Sequence, residues 1–115
     1  KLDAAFYQKC WNALEPDAMV FDLMPSRAAT VFARTLRSNQ SWYDELPEYS
    51  ALAGSMDPYA IRAAGYHYIY LGSGEWDDFS PAVQRRLSAP CAVLIHEIDG
   101  PKGAFRRLLD ISACQ

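Results

Sequence analysis

Residues 91–111 read CAVLIHEIDGPKGAFRRLLDI, and the way this stretch folds decides the fold of the chain. Its flanks, CAVLIHEI (91–98) and AFRRLLDI (104–111), are β-rich or apolar, and DGPKG between them supplies Pro101 and Gly103 for a turn. That is a hairpin signal. Upstream, YHYIYL (66–71) alternates, with Tyr66, Tyr68 and Tyr70 facing one way and His67, Ile69 and Leu71 the other. Gly72-Ser73-Gly74 ends this strand as a turn. The expected fold is α+β: a small antiparallel sheet of at least three strands, at 66–71, 91–98 and 104–111, with three to four helices packed on one face. Phe6, Val31, Phe32, Ile69, Leu71, Val93, Ile95 and Leu109 are its expected core.

Helical spacing and capping residues place the remaining elements. Leu2, Phe6, Cys10, Ala13 and Leu14 recur at helical intervals, and Pro16 stops that helix near Glu15. Ser26 caps a second helix over 26–38, with Ala28, Val31, Phe32, Thr35 and Leu36 on one face. Asp57-Pro58 starts a third, which Gly65 closes in a left-handed conformation. Ser80-Pro81 opens a fourth across 81–88. Residues 38–59 read as a loop with one helical turn, and 18–24 (AMVFDLM) fits a buried strand or a helix approach equally well.

With 115 residues, half of them hydrophobic and 22% charged, the chain reads as a single compact domain spanning 1–115. No apolar run approaches the roughly 18–20 residues of a membrane span, so no membrane association is expected. KLDAAFYQKCWNAL does not resemble a secretory signal, and the absence of an initial Met suggests a trimmed or processed chain. Cys10, Cys91 and Cys114 are odd in number, far apart and without zinc-ligand spacing, so three buried reduced thiols and a reducing cytoplasm are expected.

Two histidines invite chemistry. Cys10 on a helix followed by His67 on a strand is the order of a papain-like thiol hydrolase. IYLGSGEW (69–76) resembles the strand of bacterial cell-wall peptidases in that superfamily, which read His-x-x-Ile-Tyr-Leu-Gly-x-Gly. The resemblance covers eight residues and implies a thiol nucleophile at Cys10 with His67 as its base. The motif sets its histidine six residues before the glycine, whereas His67 stands five before Gly72, and a one-residue shift turns a strand side chain to the other face. Cys10 also lies on the apolar stripe of its helix, where a thiol packs rather than reacts. His96 and Glu97 point to opposite faces of a strand and cannot chelate one ion unless a bulge intervenes. No cofactor or metal is expected.

Charge is unevenly spread beneath a net −3. Residues 40–80 hold seven acids against one base, Arg62, and nine of the fifteen aromatics. Trp42, Tyr43 and Tyr49 stand among Asp44, Glu45 and Glu48, and Trp76 beside Glu75, Asp77 and Asp78. Tyr and Trp anchor interfaces through large rigid area with a polar tip, and flanking carboxylates steer a basic partner while repelling nucleic acid. These ten residues are the expected contact surface of a small non-catalytic protein-binding module of inhibitor, immunity, anti-defence or regulatory type. The expected partner is another protein with a basic surface, not nucleic acid. A homodimer through Arg85-Arg86 or Arg106-Arg107 is a further expectation. The thiol hydrolase and a small-ligand sensor domain are the alternatives.

Overall fold

Strand β3 (Tyr68–Gly72) is buried along its whole length, because it is flanked by strands on both edges and covered on both faces. The computed structural model describes residues 2, 5–6, 10, 14–15, 18–23, 37–38 and 49–115. In chain order the elements are β1 (Met19–Asp22), β2 (Arg37–Ser38), α1 (Tyr49–Ser55), α2 (Pro58–Ala63), β3, α3 (Ser73–Asp78), α4 (Pro81–Leu87), β4 (Val93–Asp99) and β5 (Phe105–Asp110). They form an α+β fold whose sheet runs β2-β1-β3-β5-β4. The antiparallel part is the expected one: β3 pairs with β5, and β5 with β4. The sheet as a whole is mixed, since β1 joins the other edge of β3 in parallel and β2 pairs parallel to β1. Residues 19–22 thus resolve as strand, and their pairing partner lies some fifty residues away, beyond the reach of local pattern.

Alternation along these strands sorts the core into two layers. Val20, Tyr68, Tyr70 and Leu108 pack with Phe6, Cys10 and Leu14 on one face. Phe21, Ile69, Leu71 and Leu109 pack on the other with Leu52 of α1, Ile61 of α2 and Leu87 of α4. The described helices after β2 therefore supply one face, and the N-terminal segment covers the opposite one. Tyr66 departs from the expected alternation: it precedes the strand and joins the helix-side layer, edge-on to Phe21 at 5.1 Å between ring centroids. Of the expected core, Phe6, Ile69, Leu71 and Leu109 are buried, whereas Val93 and Ile95 are exposed. Val31 and Phe32 lie outside the described residues.

Capping chemistry sets the helix ends. The Asp57 carboxylate accepts from Tyr59 N at 2.9 Å with Pro58 at the first helical position, and Gly65 follows α2 with φ +108°. Ser80 Oγ accepts from Val83 N at 3.2 Å ahead of Pro81. Three expectations need correction. Gly72-Ser73-Gly74 is not a simple turn, because Ser73–Asp78 continues as a helix. The N-terminal helix stops short of 14, with Cys10 in a turn and Leu14 in a bend. The helix expected over 26–38 cannot reach its end, because Arg37 and Ser38 are strand, while 26–36 lie outside the described residues.

The cysteines are corrected as well. Cys91 leads into β4 and Cys114 follows β5, so the antiparallel pairing of Val93 with Asp110 brings them to a Cα separation of 5.1 Å, and they form a disulfide. Closing a loop of 23 residues is worth about 3 kcal/mol in the chain-entropy account. Cys10 is buried and takes no part in a disulfide. Among the described residues no helix is long and apolar enough to cross a membrane.

One cross-link between the N-terminal segment and the sheet is titratable. The Tyr68 hydroxyl donates to both carboxylate oxygens of Glu15 at 3.0 Å. Burial, then that hydrogen bond and the negative charges of Glu15 and Asp110, push the hydroxyl well above the usual tyrosine range. A folded-state value above the unfolded one, about 10, means this contribution is intact below pH ~10 and is lost as pH rises further. Urea unfolding followed from pH 8 to 11.5 is expected to show stability falling above pH ~10, with Tyr68→Phe falling less steeply. A second outcome tests the doubly covered strand: Ile69→Ala, at a fully buried position, is expected to cost about 2–5 kcal/mol in the same assay.

Candidate functional site

The end of β3 fixes where α3 begins. Gly72 N donates to the Glu75 carboxylate at 3.1 Å, and Phe105 N donates to Ser73 Oγ at 3.2 Å, tying the first turn to β5. With that turn fixed, Trp76 lies against the helix-side core, half-buried, and its ring meets Phe79 edge-on at 6.4 Å. Its carbonyl accepts from Gln84 Nε2 at 2.9 Å, which holds α4 to α3. Arg107 reaches the other side of the indole: its guanidinium stands 5.8 Å from the Trp76 ring centroid and 3.8 Å over Phe105. Glu97 on β4 pairs with this guanidinium, so its charge is balanced where it stacks.

Trp76 forms the wall between two recesses. A cavity of about 240 Å³ opens between Trp76, Leu71, Leu87, Leu94, Leu109 and Arg107. Across Ser88 it continues into an open groove bounded by Trp76, Pro81, Gln84, Arg85 and Pro90. Beside the cavity, β4 exposes three consecutive aliphatics: Val93 at 50%, Leu94 at 46% and Ile95 at 37%. β4 is the last strand of the sheet, and its ladder is interrupted by a bulge between Leu94 and His96. An edge strand with apolar side chains next to a tryptophan-walled recess is an apolar surface of the kind that docks another chain.

The expected contact residues divide. Asp77 and Asp78 are exposed on α3 beside Trp76, while Glu75 is engaged in capping its own helix. Tyr49 opens α1. Trp42, Tyr43, Asp44, Glu45 and Glu48 lie outside the described residues. The structure thus brings together one aromatic and two free acids of the set, and adds Leu94, Arg107 and the β4 aliphatics. The signal for that addition is the run Val93-Leu94-Ile95, which breaks the in-out alternation of a half-buried strand.

Cys10 and His67 each have structural partners. Cys10 packs among Phe6, Leu14, Tyr68 and Tyr70 on one face of the sheet. His67 Nδ1 accepts from Met19 N at 3.2 Å, its backbone N donates to Met19 O, and its carbonyl accepts from Ile111 N. His67 therefore ties β1 and the end of β5 to the start of β3, its backbone reaching both and its ring, with the proton on Nε2, reaching β1. His96 and Glu97 pair with Leu108 and Arg107 on successive positions, and the bulge falls before them, so they stay on opposite faces. Among the described residues no group of three His, Cys, Asp or Glu side chains could hold a metal ion. Asp22, at the end of β1 opposite Tyr70, is the buried charge of the described core, and nothing in its sequence context marked it.

No family model, curated protein or solved structure matches the chain.

Thiol titration separates the packing role of Cys10 from a nucleophilic one. The folded chain is expected to show no reactive thiol at neutral pH, one after denaturation without reductant, and three after denaturation and reduction. A thiol that alkylates rapidly in the native state would return Cys10 to the catalytic account.

Proposed function

We propose that this chain is a non-catalytic protein-binding module whose contact surface centres on Trp76. The observation that carries the reading is a tryptophan-walled recess whose rim includes the exposed Leu94, on an edge strand that also exposes Val93 and Ile95. Such a surface buries an apolar anchor from a partner. The exposed carboxylates of Asp77 and Asp78 at its margin favour a partner that surrounds that anchor with Lys or Arg. Because Arg107 is already balanced by Glu97, the unbalanced charge next to Trp76 on α3 is negative. Inhibitor, immunity, anti-defence and regulatory proteins share this manner of action. The Cys91–Cys114 bond suits a compartment that permits disulfides better than the reducing cytoplasm expected from cysteine spacing.

A photo-crosslinking residue placed at position 77 or 94 is expected to capture the same basic protein from host extract, and one placed at Lys102 on the distant turn is not. With that protein purified, Leu94→Asp is expected to weaken binding by about 30-fold or more, the scale of a hot-spot residue of about 2 kcal/mol. Leu94 is exposed, so the melting temperature of this variant should stay near that of the parent. Asp77→Asn with Asp78→Asn is expected to slow association and flatten its salt dependence. Normal binding by Leu94→Asp together with crosslinking from 102 would move the interface elsewhere.

A further inference from the structure

A second recess, on the helix α2 side of the molecule, holds the arginine that stands out in the acidic segment. Tyr59 and Arg62 are three residues apart on α2 and so lie side by side on its surface. With Ala63 they face Cys114 and Gln115 across a cavity of about 400 Å³. The opposite wall is well held. Cys114 is buried and bonded to Cys91, its N donates to Ile111 O at 2.9 Å, and Gln115 Nε2 donates to Ser112 O at 3.1 Å.

Arg62 is the anomaly in this recess. Its Nε is buried with no acceptor, and among the described residues its side chain has no hydrogen-bond or ion-pair partner. Three other arginines are engaged: Arg86 Nη1 donates to Ser55 O, Arg106 Nη1 to Phe105 O, and Arg107 pairs with Glu97. A position in the last turn of α2 suits a cation and would explain an arginine that reaches into water. It does not explain a buried Nε, since an unmet donor costs about 1–3 kcal/mol. The terminal nitrogens of an arginine that lines a recess are what a carboxylate meets with paired hydrogen bonds.

We infer that the recess between α2 and the Cys114–Gln115 segment is a binding site for a small carboxylate with a flat apolar body, held by Arg62 and covered by the Tyr59 ring. The rest of the lining fits this class. Tyr59, half-exposed, offers an aromatic face, and Ala63 and the Cys114 disulfide offer apolar walls. A single arginine matches one carboxylate charge, whereas a phosphate dianion calls for more than one cation. The site is separate from the Trp76 surface and stands whether or not that surface binds a protein.

Benzoate is the probe. Titrated into the isotopically labelled chain, it is expected to give saturable shifts at the amides of Tyr59, Arg62, Ala63 and Gln115, with a dissociation constant on the order of 1 mM. Benzyl alcohol, of the same shape without the charge, should shift none of them, and inorganic phosphate should bind at least tenfold more weakly. Arg62→Gln is expected to abolish the benzoate shifts. Arg62→Lys, which keeps the charge and loses the fork, should weaken binding about tenfold, and it serves as the readout should the glutamine variant not fold. Absent benzoate shifts, shifts that survive Arg62→Gln, or phosphate binding as tightly as benzoate would each overturn the inference.

Discussion

Everything in this fold leans on the burial of both faces of β3. A strand covered on one side tolerates a slip in pairing at modest cost, but here a one-residue slip would exchange Tyr68 and Tyr70 with Ile69 and Leu71. The two sets are not interchangeable. The Tyr68 hydroxyl needs Glu15, which belongs to the N-terminal side, and the aliphatic pair fills space against Ile61 and Leu87 on the helix side. The register of β3 therefore selects both neighbours at once. His67 adds a polar lock at the start of the strand, since its backbone and ring both hold Met19. With β3 placed, its continuation into α3 is directed towards β5, and the position of Trp76 follows.

β4 has the opposite character. It pairs on one edge only, and its first half carries exposed aliphatics. Edge strands of this kind are prone to unplanned pairing, and the chain limits it locally. The bulge after Leu94 breaks the flat ladder, and Glu97 and Asp99 put charge on the second half of the strand. These devices leave Val93, Leu94 and Ile95 outside their protection. That selective exposure, beside a recess walled by a tryptophan, is why the apolar area reads as a surface with a use rather than as leftover core.

Legibility from the sequence followed the range of the interaction. Asp57-Pro58, Gly65 and Ser80-Pro81 act within a few residues of themselves, and each produced the helix boundary that its chemistry implies. The hairpin was equally plain, because Pro101 and Gly103 separate two strands that pair with each other. The parallel pairing of β1 with β3 was not, since an apolar run such as AMVFDLM carries no mark of a partner fifty residues on. Gly72-Ser73-Gly74 misled for a different reason. Glycine signals a break, and here Glu75 turned the break into a helix start by accepting from Gly72 N. At the candidate surface, Trp76, Asp77 and Asp78 were legible by type, whereas Leu94 and Arg107 became part of it only through the β4–β5 register.

The same register explains why a disulfide stands where it does. A strand paired on one edge frays from its free end unless something other than the ladder holds it. Cys91 stands two residues before Val93, the first paired residue of β4, and Cys114 four residues after its partner Asp110, so their bond closes the open end of that ladder. The opposite end needs no such bond, because the turn at Pro101–Gly103 already closes it. Hydrophobic burial could not have done this work, since Val93 and Leu94 face solvent where a core strand would be anchored. A covalent tie beside an uncovered apolar strand lets the chain keep those side chains exposed without losing the strand that carries them.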